Sequence, residues 1–546
     1  MSGGKSQLLG PNGQPLPVGI GKAVAALAGG RAEMGLGLGG QRGGGGRQEM
    51  AGWMAAQTSA DSSWLWNRDD LVAKTRDLVA NEPWAQGAVD RKVDMVAGAA
   101  LRPSIRPDAD MLGISPEEAA ALGKAFERAW RLWAEDPLCR CDLEQTVNAG
   151  WMFNIMATEM EIAGDATAVL RVRKDRDWPF KTALQLVDAD RLSNPNMAMD
   201  TPTLAGGVEK GLDGDPIAYH FRNAHPGDVL RTGAADLYTW TRVPRREPWG
   251  RPVVLHAFRK DRPGQTRGVS RLVAGLARFK QMARFAQAEL SNAVINALFA
   301  ATITSGFDPA VMQQELTAPA IAGYHELRND YYTAAAPVLE GSRIQHLFPG
   351  DELKFLTSSR EAGSFDQFAT VFLRSIASGL GIAYEQIAMD WSQTNYSSAR
   401  AALIEVWRGV QKGRANLVMM AAQPLLLAIC EDAVEAGLVT LPAGGPDLYE
   451  APAAYLRGRW IGPARGWVDP VKEAAGAVMQ IEAGLGNWED LAADQGVDFD
   501  QNLAALGNQK KAWIDAGLTP PALRDMLVGA QTFDTPEAPP ARSPAA

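Results

Sequence analysis

Apolar residues recur with the period of a helix over most of the chain. Between residues 365 and 376 they occupy positions i, i+3, i+4, i+7 and i+11, which all lie on one face of a helix. A second stripe starts at Ala399 and extends to Met420, and Pro424 is expected to kink the helix that carries it. By the same pattern the sequence predicts helices over 69–99, 115–137, 143–163, 270–297, 361–379 and 470–530.

The apolar period changes from helix to strand in the middle of the chain. β-branched and aromatic residues form short runs there, separated by turn signals such as Asp213-Gly214. A helical layer followed by a β-rich layer predicts the α+β class. The predicted strands are 167–172, 184–187, 217–221 and 253–258, and three shorter segments, 331–332, 337–339 and 344–347, could also form strands.

Both ends of the chain lack these patterns. Residues 1–50 are rich in glycine and are predicted to form a flexible arm. Residues 532–546 are rich in proline and alanine and are predicted to be disordered. The region between them is long enough to bury a sizeable core.

A short polar stretch, 389–396, separates the two most regular helical stripes. Asn395, Ser397 or Ser398 can cap the second helix by accepting a hydrogen bond from its first turn. The stretch is therefore predicted to be a loop held between two helices. Loops held on rigid scaffolds often carry function.

Charge and cysteine content limit the possible partners. The chain has 54 basic and 63 acidic residues, a formal net charge of -9. This balance argues against a tight DNA clamp, because phosphate contact needs a local surplus of Lys and Arg, but it leaves looser contact through a basic patch open. Three cysteines in a chain of this length favour a reducing compartment. Cys139 and Cys141 are interpreted as packing residues rather than a metal site, because zinc needs more ligands than this pair supplies.

The apolar stretches are predicted not to span a membrane. The longest are 293–303 and 417–430, both shorter than a bilayer requires. The dipeptide Gln423-Pro424 is expected to break the second one.

Basic residues are concentrated between residues 240 and 285. Twelve Lys and Arg lie there, and only Glu247 and Asp261 oppose them within the segment. Such a run forms either a solvated face with inter-subunit salt bridges or a surface for loose phosphate contact. The candidates for these contacts are Arg267, Arg271, Arg278, Lys280 and Arg284.

The sequence gives little support to an enzyme. A phosphate-binding P-loop is absent, and so are the common hydrolase motifs. Asp188 and Asp190 are the best carboxylate pair, since alternate positions on a strand share a face and could bind Mg²⁺. The same pair also fits a polar turn that closes a strand, with Arg191 pairing locally. We therefore predict no catalytic residue, cofactor or metal, and keep a metal-dependent nuclease as the weaker alternative.

The histidines add no catalytic pattern. His220, His225 and His256 lie near predicted strands, and their order along the chain matches no catalytic triad. We interpret them as structural.

Five short motifs, in this order along the chain, resemble those of lambda-type phage portal proteins. One of them follows an acidic and an aromatic residue, Asp390 and Trp391, in the polar stretch before the second helical stripe. The motifs are Asn81–Ala85, Leu184–Arg191, Arg262–Ser270, Asn395–Arg400 and Trp467–Glu473.

This resemblance implies a fold with wing, stem, clip and crown regions. In that family a wing precedes a stem helix, a clip, a second stem helix, a tunnel loop, a long helix and a crown. The implied borders are 1–50 for the arm, 51–269 for the wing, 270–297 for the stem helix, 298–355 for the clip, 356–380 for the second stem helix, 381–396 for the tunnel loop, 397–469 for the long helix and its return, 470–531 for the crown and 532–546 for the tail.

The resemblance also implies a function. A ring of about twelve copies would form the channel at one capsid vertex. Terminase would package double-stranded DNA through it, and the DNA would later leave by the same route. The implied partners are other copies of the chain, DNA, the terminase large subunit, the major capsid protein or scaffold, and a head–tail adaptor. The implied location is the virion, after assembly in the host cytoplasm. Another head or adaptor protein of the virion is the structural alternative.

The tunnel loop would face DNA in such a channel. Its polar and aromatic side chains carry no positive charge. This favours a loop that controls the passage of DNA, a gate, over one that binds DNA tightly, because strong phosphate contacts would have to be broken as DNA moves. The residues expected to face DNA are Asp390, Trp391, Gln393, Asn395 and Tyr396.

Overall fold

The structure is a computed structural model, and it describes most of the chain between residues 57 and 519. Two compact units are present, Met1–Trp64 and Leu65–Ala546. In the first unit, the described residues include a short 3-10 turn, Asp61–Ser63. The described ranges are 57–174, 177–230, 234–298, 302–305, 317–334, 351–354, 364–392, 394–466 and 469–519.

The first part of the second unit is helical, as the apolar pattern predicts. Ser115 accepts from Glu118 N, and the Glu118 carboxylate accepts from Ser115 N, a capping box that fixes where the longest of these helices begins. Asn148 caps the last of them through Trp151 N. The elements are α1 (Arg68–Asn81), α2 (Pro83–Val96), β1 (Arg102–Ile105), α3 (Ala109–Leu112), α4 (Pro116–Ala134) and α5 (Ala149–Ile162).

A β-rich layer follows. All four predicted strands are present, which with the helices confirms the α+β class. Three further strands, β4, β5 and β7, were not predicted, because they are short or carry mostly exposed side chains. The elements are β2 (Asp165–Val172), β3 (Thr182–Val187), β4 (Leu204–Ala205), β5 (Val208–Lys210), β6 (Pro216–Arg222), α6 (Ala234–Leu237), β7 (Trp240–Pro244) and β8 (Val254–Phe258).

These strands form two antiparallel sheets. The three-stranded sheet has the order β3-β2-β8, and Val169 of β2 pairs with Val254 of β8. The four-stranded sheet has the order β4-β5-β6-β7. Apolar residues of both sheets, among them Val169, Tyr219 and Val254, form one buried cluster between them. The outer face of the first sheet is thereby covered by the second.

The predicted stem region contains two long helices. A 3-10 turn, Arg271–Gly275, leads into the first. Tyr331 and Tyr332, predicted as a possible strand, lie in a helix, so that prediction was wrong. The segments 337–339 and 344–347 fall outside the described residues. The elements are α7 (Leu276–Leu298), β9 (Thr302–Ser305), α8 (Ala318–Ala334), β10 (Asp351–Lys354), paired antiparallel with β9, and α9 (Ser364–Leu380).

The second helical stripe forms an unbroken helical run. Five residues in π conformation, Val418–Ala422, join its two halves, and the residues before Pro424 keep helical dihedral angles. The expected break at Gln423-Pro424 was therefore wrong, because the wide turn accommodates the missing proline N–H. The elements are α10 (Tyr384–Ala388), α11 (Tyr396–Leu417) and α12 (Gln423–Glu435).

This run changes the expectation about membrane spans. Within the described residues, Ser397–Glu435 is the one helical run that is long and apolar enough to cross a bilayer, and 56% of its most apolar window is buried in the protein. Leu425 and Ile429 are fully buried in the main core. The apolarity of the run therefore matches its position inside the fold.

The C-terminal part returns to the first helical layer. Strand β11 pairs antiparallel with β1, so Ile461 lies opposite Arg102. The last three helices contain no buried residue. The elements are α13 (Pro452–Tyr455), β11 (Gly458–Ile461), α14 (Pro470–Glu482), α15 (Trp488–Asp494) and α16 (Phe499–Asp515).

A fully buried carboxylate joins the helical and β layers. Asp165 begins β2 and is 0% exposed. It accepts hydrogen bonds from the guanidinium groups of Arg267 and Arg68 and from Nε2 of His256, which lies 3.0 Å away. Burial lowers the pKa of His256, so its neutral ring donates to Asp165. Burial alone would raise the pKa of Asp165, but the charges of Arg267 and Arg68 hold it well below its usual range.

Arg267 uses all five of its N–H donors inside the protein. Nε and Nη2 each donate one hydrogen bond to the Asp165 carboxylate. The other three N–H groups donate to the carbonyl oxygens of Leu192, Gly206 and Ala189 at 2.8 to 2.9 Å. The side chain is 1% exposed. The expectation that Arg267 contacts phosphate or a neighbouring subunit is thereby corrected, because no donor remains for either.

Replacing Arg267 should destabilise the protein strongly. In Arg267→Met the Asp165 carboxylate loses its main partner while staying buried, which costs about 3–5 kcal/mol of unfolding free energy. Arg267→Lys should fall in between, since an ammonium cannot reproduce the guanidinium fork. The measurement is urea denaturation followed by circular dichroism.

The matched control is Arg278→Met, which removes the same group from an exposed position. It should change stability by less than about 0.5 kcal/mol. Equal losses in the two methionine variants would contradict this account of Asp165.

Candidate functional site

The predicted tunnel loop begins with an anchored segment. Helix α9 ends at Leu380, and the next residue, Gly381, has a φ of +74°, a conformation that side-chain-bearing residues rarely adopt. The short helix α10 follows, a feature that the sequence analysis did not predict. Ile387 is 3% exposed, and Gln386 donates to Met95 Sδ at 3.6 Å. The first half of 381–396 is therefore packed against α2.

The exposed part of the loop begins at Met389. This residue has a φ of 53°, so the chain turns sharply after α10. Hydrogen bonding with the side chain and the backbone of Ser392 lowers the pKa of Asp390, whose carboxylate accepts from Ser392 N at 3.0 Å. Trp391 is 42% exposed. The loop thus presents an ionised carboxylate and an indole to its surroundings.

The loop ends at a capped helix. Asn395 accepts from Ser398 N at 2.9 Å and is the N-cap of α11, one of the three caps considered from the sequence. Asn395 itself is exposed. Gln393 and the side chain of Tyr396 lie outside the described residues. Asp390, Trp391 and Asn395 therefore share one exposed segment, and their contact with DNA stays a prediction.

The basic run is neutralised mainly by residues that are distant in sequence. Arg242 pairs with Glu209, and Arg251 pairs with Glu431 and Asp432. A local count of opposing acids could not show these pairs, because strand pairing and the packing of α12 bring them together. The apparent excess of positive charge is thus smaller than the sequence suggested.

The other candidates of this run lie at the start of the predicted stem. Arg271 is half-buried, and its Nη1 lies 3.5 Å from Leu380 O. Arg278, Lys280 and Arg284 are exposed on α7. These four residues stay candidates for phosphate or inter-subunit contact.

Asp188 and Asp190 belong to a larger cluster than the sequence indicated. Arg76 of α1 reaches three carboxylates, with nitrogen–oxygen distances of 3.0 Å to Glu159, 2.9 Å to Asp188 and 3.4 Å to Asp190. His225 Nε2 lies 3.8 Å from both aspartates. Glu159, Arg76 and His225 were missed, because helices and loops remote in sequence supply them. The only local signal was the Asp188–Asp190 spacing.

Arg191 does not pair with this cluster. Its guanidinium donates to the carbonyl oxygens of Arg222 and Asn223 at 2.9 Å. The expected local pairing was wrong, because the side chain follows the end of β6 instead.

The cluster has the donor types of a metal site but also its own cations. One ligand atom each from Asp188, Asp190 and His225 lie within 4.8 Å of one another, a geometry that could hold a divalent ion. However, Arg76 contacts both aspartates, and Arg68 lies 3.6 Å from Asp190. These guanidinium groups already supply the positive charge that a metal ion would bring.

Burial makes Glu159 the unusual group of this cluster. Desolvation, reinforced by the nearby charges of Asp188 and Asp190, raises its pKa to about 7, although Arg76 opposes the shift. Glu159 therefore takes up a proton near neutral pH. This gives the cluster a pH-dependent charge without requiring any catalytic role.

The cysteines are placed as packing residues. Cys141 is fully buried, and burial raises its pKa to about 12. Cys430 is also buried, in helix α12. Both thiols therefore stay protonated at neutral pH, which makes them poor metal ligands.

Comparison with known proteins gives an extended match. Residues 46–414 match the lambda family of phage portal proteins. The portal protein of Escherichia phage N15 is 32% identical over 494 residues, covering 88% of this chain and 91% of that protein. Portal protein B of Escherichia phage lambda is 31% identical over 497 residues, covering 89% and 90%. The similarity thus covers nearly nine tenths of the chain.

Solved structures show a weaker similarity. The neck of an empty gene transfer agent particle, computed with C6 symmetry, has 16% sequence identity and a TM-score of 0.44. The alignment covers 80% of this chain and 97% of that chain. A similarity at this level supports no statement about assembly.

Glu159 should make stability pH-dependent. Its folded pKa of about 7 exceeds the ordinary value of 4.5, so the native state holds a proton that the unfolded chain releases between these values. The resulting stabilisation is present below pH 4.5 and is lost as pH rises through 7; it amounts to at most about 3 kcal/mol. Thermal unfolding of Glu159→Gln should therefore depend less on pH between 4.5 and 7 than that of the wild type.

Glu161→Gln is the matched control. Glu161 lies on the same helix but pairs with Lys92 at 2.6 Å, outside the cluster. Its pH profile should match the wild type. Parallel profiles for wild type and Glu159→Gln would contradict the assignment of a raised pKa to Glu159.

Proposed function

Because the chain belongs to the lambda family of phage portal proteins, we propose that copies of it form the closed ring through which double-stranded DNA is packaged and later ejected. The single observation that carries this proposal is the extent of the match: the family covers residues 46–414, and two portal proteins align with nearly nine tenths of the chain. The ring would occupy one vertex of the capsid, be assembled in the host cytoplasm, and serve as the point where the tail attaches.

We assign α7 and α9 to the two stem helices of the portal. Arg271, just before α7, lies near Leu380 at the end of α9, and the rings of Phe285 and Phe368 are 4.1 Å apart. These contacts make the two helices antiparallel. An antiparallel pair places the C-terminal end of α7 and the N-terminal end of α9 at the same end of the stem. Residues 298–355 connect these two ends, which supports their assignment to the clip.

The loop between α10 and α11 is the proposed gate. Helices α9 and α10 anchor its start, and the Asn395 cap fixes its end. Asp390 and Trp391 would contact the duplex without binding phosphate tightly. A sliding duplex needs such contacts, because each strong phosphate contact would have to be broken at every step.

A ring requires two different surfaces on each copy. Cyclic symmetry pairs one face of a subunit with another face of its neighbour. The exposed basic residues of α7 and the terminal helices, which contain no fully buried residue within one chain, are available for such contacts. We assign the crown to the terminal helices. Terminase, capsid or scaffold protein and a head–tail adaptor are the proposed external partners.

We propose a structural role rather than catalysis. The best carboxylate cluster already contains Arg76 and Arg68, which supply the positive charge that a catalytic cation would bring. A metal-dependent nuclease would instead lose activity in Asp188→Asn. Such activity in the purified protein would contradict the structural role.

The purified chain should assemble into rings. We expect native mass spectrometry to show one main oligomer of about twelve copies. Negative-stain images should show a central hole wide enough for a DNA duplex. A compact dimer without a hole would contradict the proposal.

The exposed loop should affect DNA but not assembly. Replacing Met389–Thr394 by a Gly/Ser segment of equal length keeps the Asn395 cap and should leave ring formation unchanged. We expect heads carrying this variant to contain less DNA or to lose it, because the proposed gate is gone. The DNA content of purified heads is the measurement.

The control is a Gly/Ser replacement of equal length in the three-residue exposed turn Leu212–Gly214. Leu212 is fully exposed, so this turn can change without loss of packing. Control heads should fill normally. Normal filling in both variants would rule out a gate at this loop.

A further inference from the structure

A cavity of about 510 Å³ lies beside the two sheets of the β-rich layer. Tyr219 of β6 and His256 and Phe258 of β8 line it from the sheets, and Met420 lines it from the π segment. A volume of this size is typical of sites for small organic ligands. None of the residues of the proposed gate lines this cavity.

The lining of the cavity is strongly cationic. Lys210, Arg245, Arg246 and Lys260 contribute to it, whereas none of the described residues along the wall is acidic. The side chains of Arg245, Arg246 and Lys260 form no ion pair within the described part of the chain. A concave surface with several unneutralised cations attracts an anion.

The backbone holds Arg245 in a fixed position. Arg245 N donates to Ile217 O at 2.9 Å, and Arg245 O accepts from Val253 N at 3.0 Å. The residue therefore bridges β6 and the start of β8, the two sheets that border the cavity. Its side chain is half-buried, so the guanidinium is less mobile than one on an open surface.

The part of the wall that contains Gln265 is also rigid. Gln265 is buried, and its side-chain oxygen accepts from Asp261 N at 2.8 Å and from Arg262 N at 3.2 Å. Its side-chain nitrogen donates to the carbonyl oxygens of Arg259 and Arg267. The loop that carries this wall is thus held in place before any ligand binds, which lowers the entropy cost of binding.

Tyr219 supplies an unused hydrogen-bond donor. The residue is 3% exposed and lines the cavity, and its hydroxyl makes no hydrogen bond to any residue that the structure describes. Burial raises the pKa of Tyr219 to about 12, so the hydroxyl stays protonated and can donate. A tyrosine hydroxyl that no protein group uses can donate to an acceptor on a ligand in the cavity.

The remaining wall is apolar. Val254, Phe258, Met420 and Pro424 contribute to it. This surface suits a flat, weakly polar body next to the cationic part. A ligand that is only a small anion would leave the apolar wall uncovered.

We propose that this cavity binds a phosphate monoester with a planar organic body, the chemistry of a nucleoside monophosphate. The phosphate lies against Arg245 and Arg246 and accepts from the Tyr219 hydroxyl, and the base and sugar cover Phe258 and Met420. Arginine forks match phosphate oxygens in geometry. A dianionic phosphate also neutralises several cations better than a single carboxylate. The group can belong to a free nucleotide or to the phosphorylated end of a nucleic-acid strand.

The test is isothermal titration calorimetry of the full-length protein with AMP and dTMP as probes. We expect saturable binding at one site per chain, and adenosine should bind at least about tenfold more weakly than AMP, because it lacks the charged group. Competition against AMP by oligonucleotides with and without a 5′-phosphate distinguishes the sources. If the phosphorylated oligonucleotide displaces AMP and the unphosphorylated one does not, the ligand is a strand end. If neither oligonucleotide displaces AMP, the ligand is a free nucleotide.

Variants assign the binding to this cavity. Arg245→Gln and Tyr219→Phe should each weaken AMP binding about tenfold, since each removes a hydrogen bond to a charged acceptor. Tyr219→Phe should keep its thermal stability, because the lost hydroxyl has no partner in the protein. The matched control is Arg242→Gln on the same stretch of chain, where Arg242 pairs with Glu209 away from the cavity.

Three results would overturn the proposal. They are no saturable binding of AMP, dTMP or phosphorylated oligonucleotide, equal binding of adenosine and AMP, and an equal loss of affinity in Arg242→Gln and Arg245→Gln.

Discussion

Asp165 is a carboxylate with no access to solvent, and such a group is tolerated only where charges and hydrogen bonds replace the water it has lost. Arg68 from α1 and Arg267 from the segment before α7 supply that replacement, and His256 of β8 adds a neutral donor. Three parts of the chain that are far apart in sequence are therefore fixed at one point. Because Arg267 also binds three backbone carbonyl groups, the same residue sets the path of the chain between the two sheets.

The start of the proposed stem is tied to this point. Gly268 passes so close to Gly164 that an added side-chain carbon would lie 1.9 Å from the Gly164 carbonyl oxygen. The hydroxyl of Ser270 donates to Glu161 O, and the 3-10 turn before α7 follows directly. The long helices therefore project from a rigid base, and α10, which follows the C-terminal end of α9, anchors the exposed loop at this same end of the helix pair. In the proposed gate, the force from a moving duplex would pass through these anchors into packed elements.

Much of this architecture follows from local patterns. The helical periods, the Asn395 and Ser115 caps and the four apolar strands are short-range signals, and the structure contains all of them. The strands β4, β5 and β7 carry too few buried residues to be recognised in this way. The π segment before Pro424 could not be predicted from the sequence either. Apolar periodicity indicates which face of a helix is buried, but it does not indicate where a turn widens before a proline.

The sequence by itself determined the class of fold, the positions of the main helices and strands, and the family, because each depends on spacing along the chain. Tertiary structure alone decided which charges are free. Arg267 and Arg278 are equivalent in composition, yet one is saturated inside the protein and the other is exposed. Asp188 and Asp190 became part of a cluster with Glu159 and Arg76 only through packing. Electrostatic energy depends on distance and burial, and both are set by contacts between residues that the sequence places far apart.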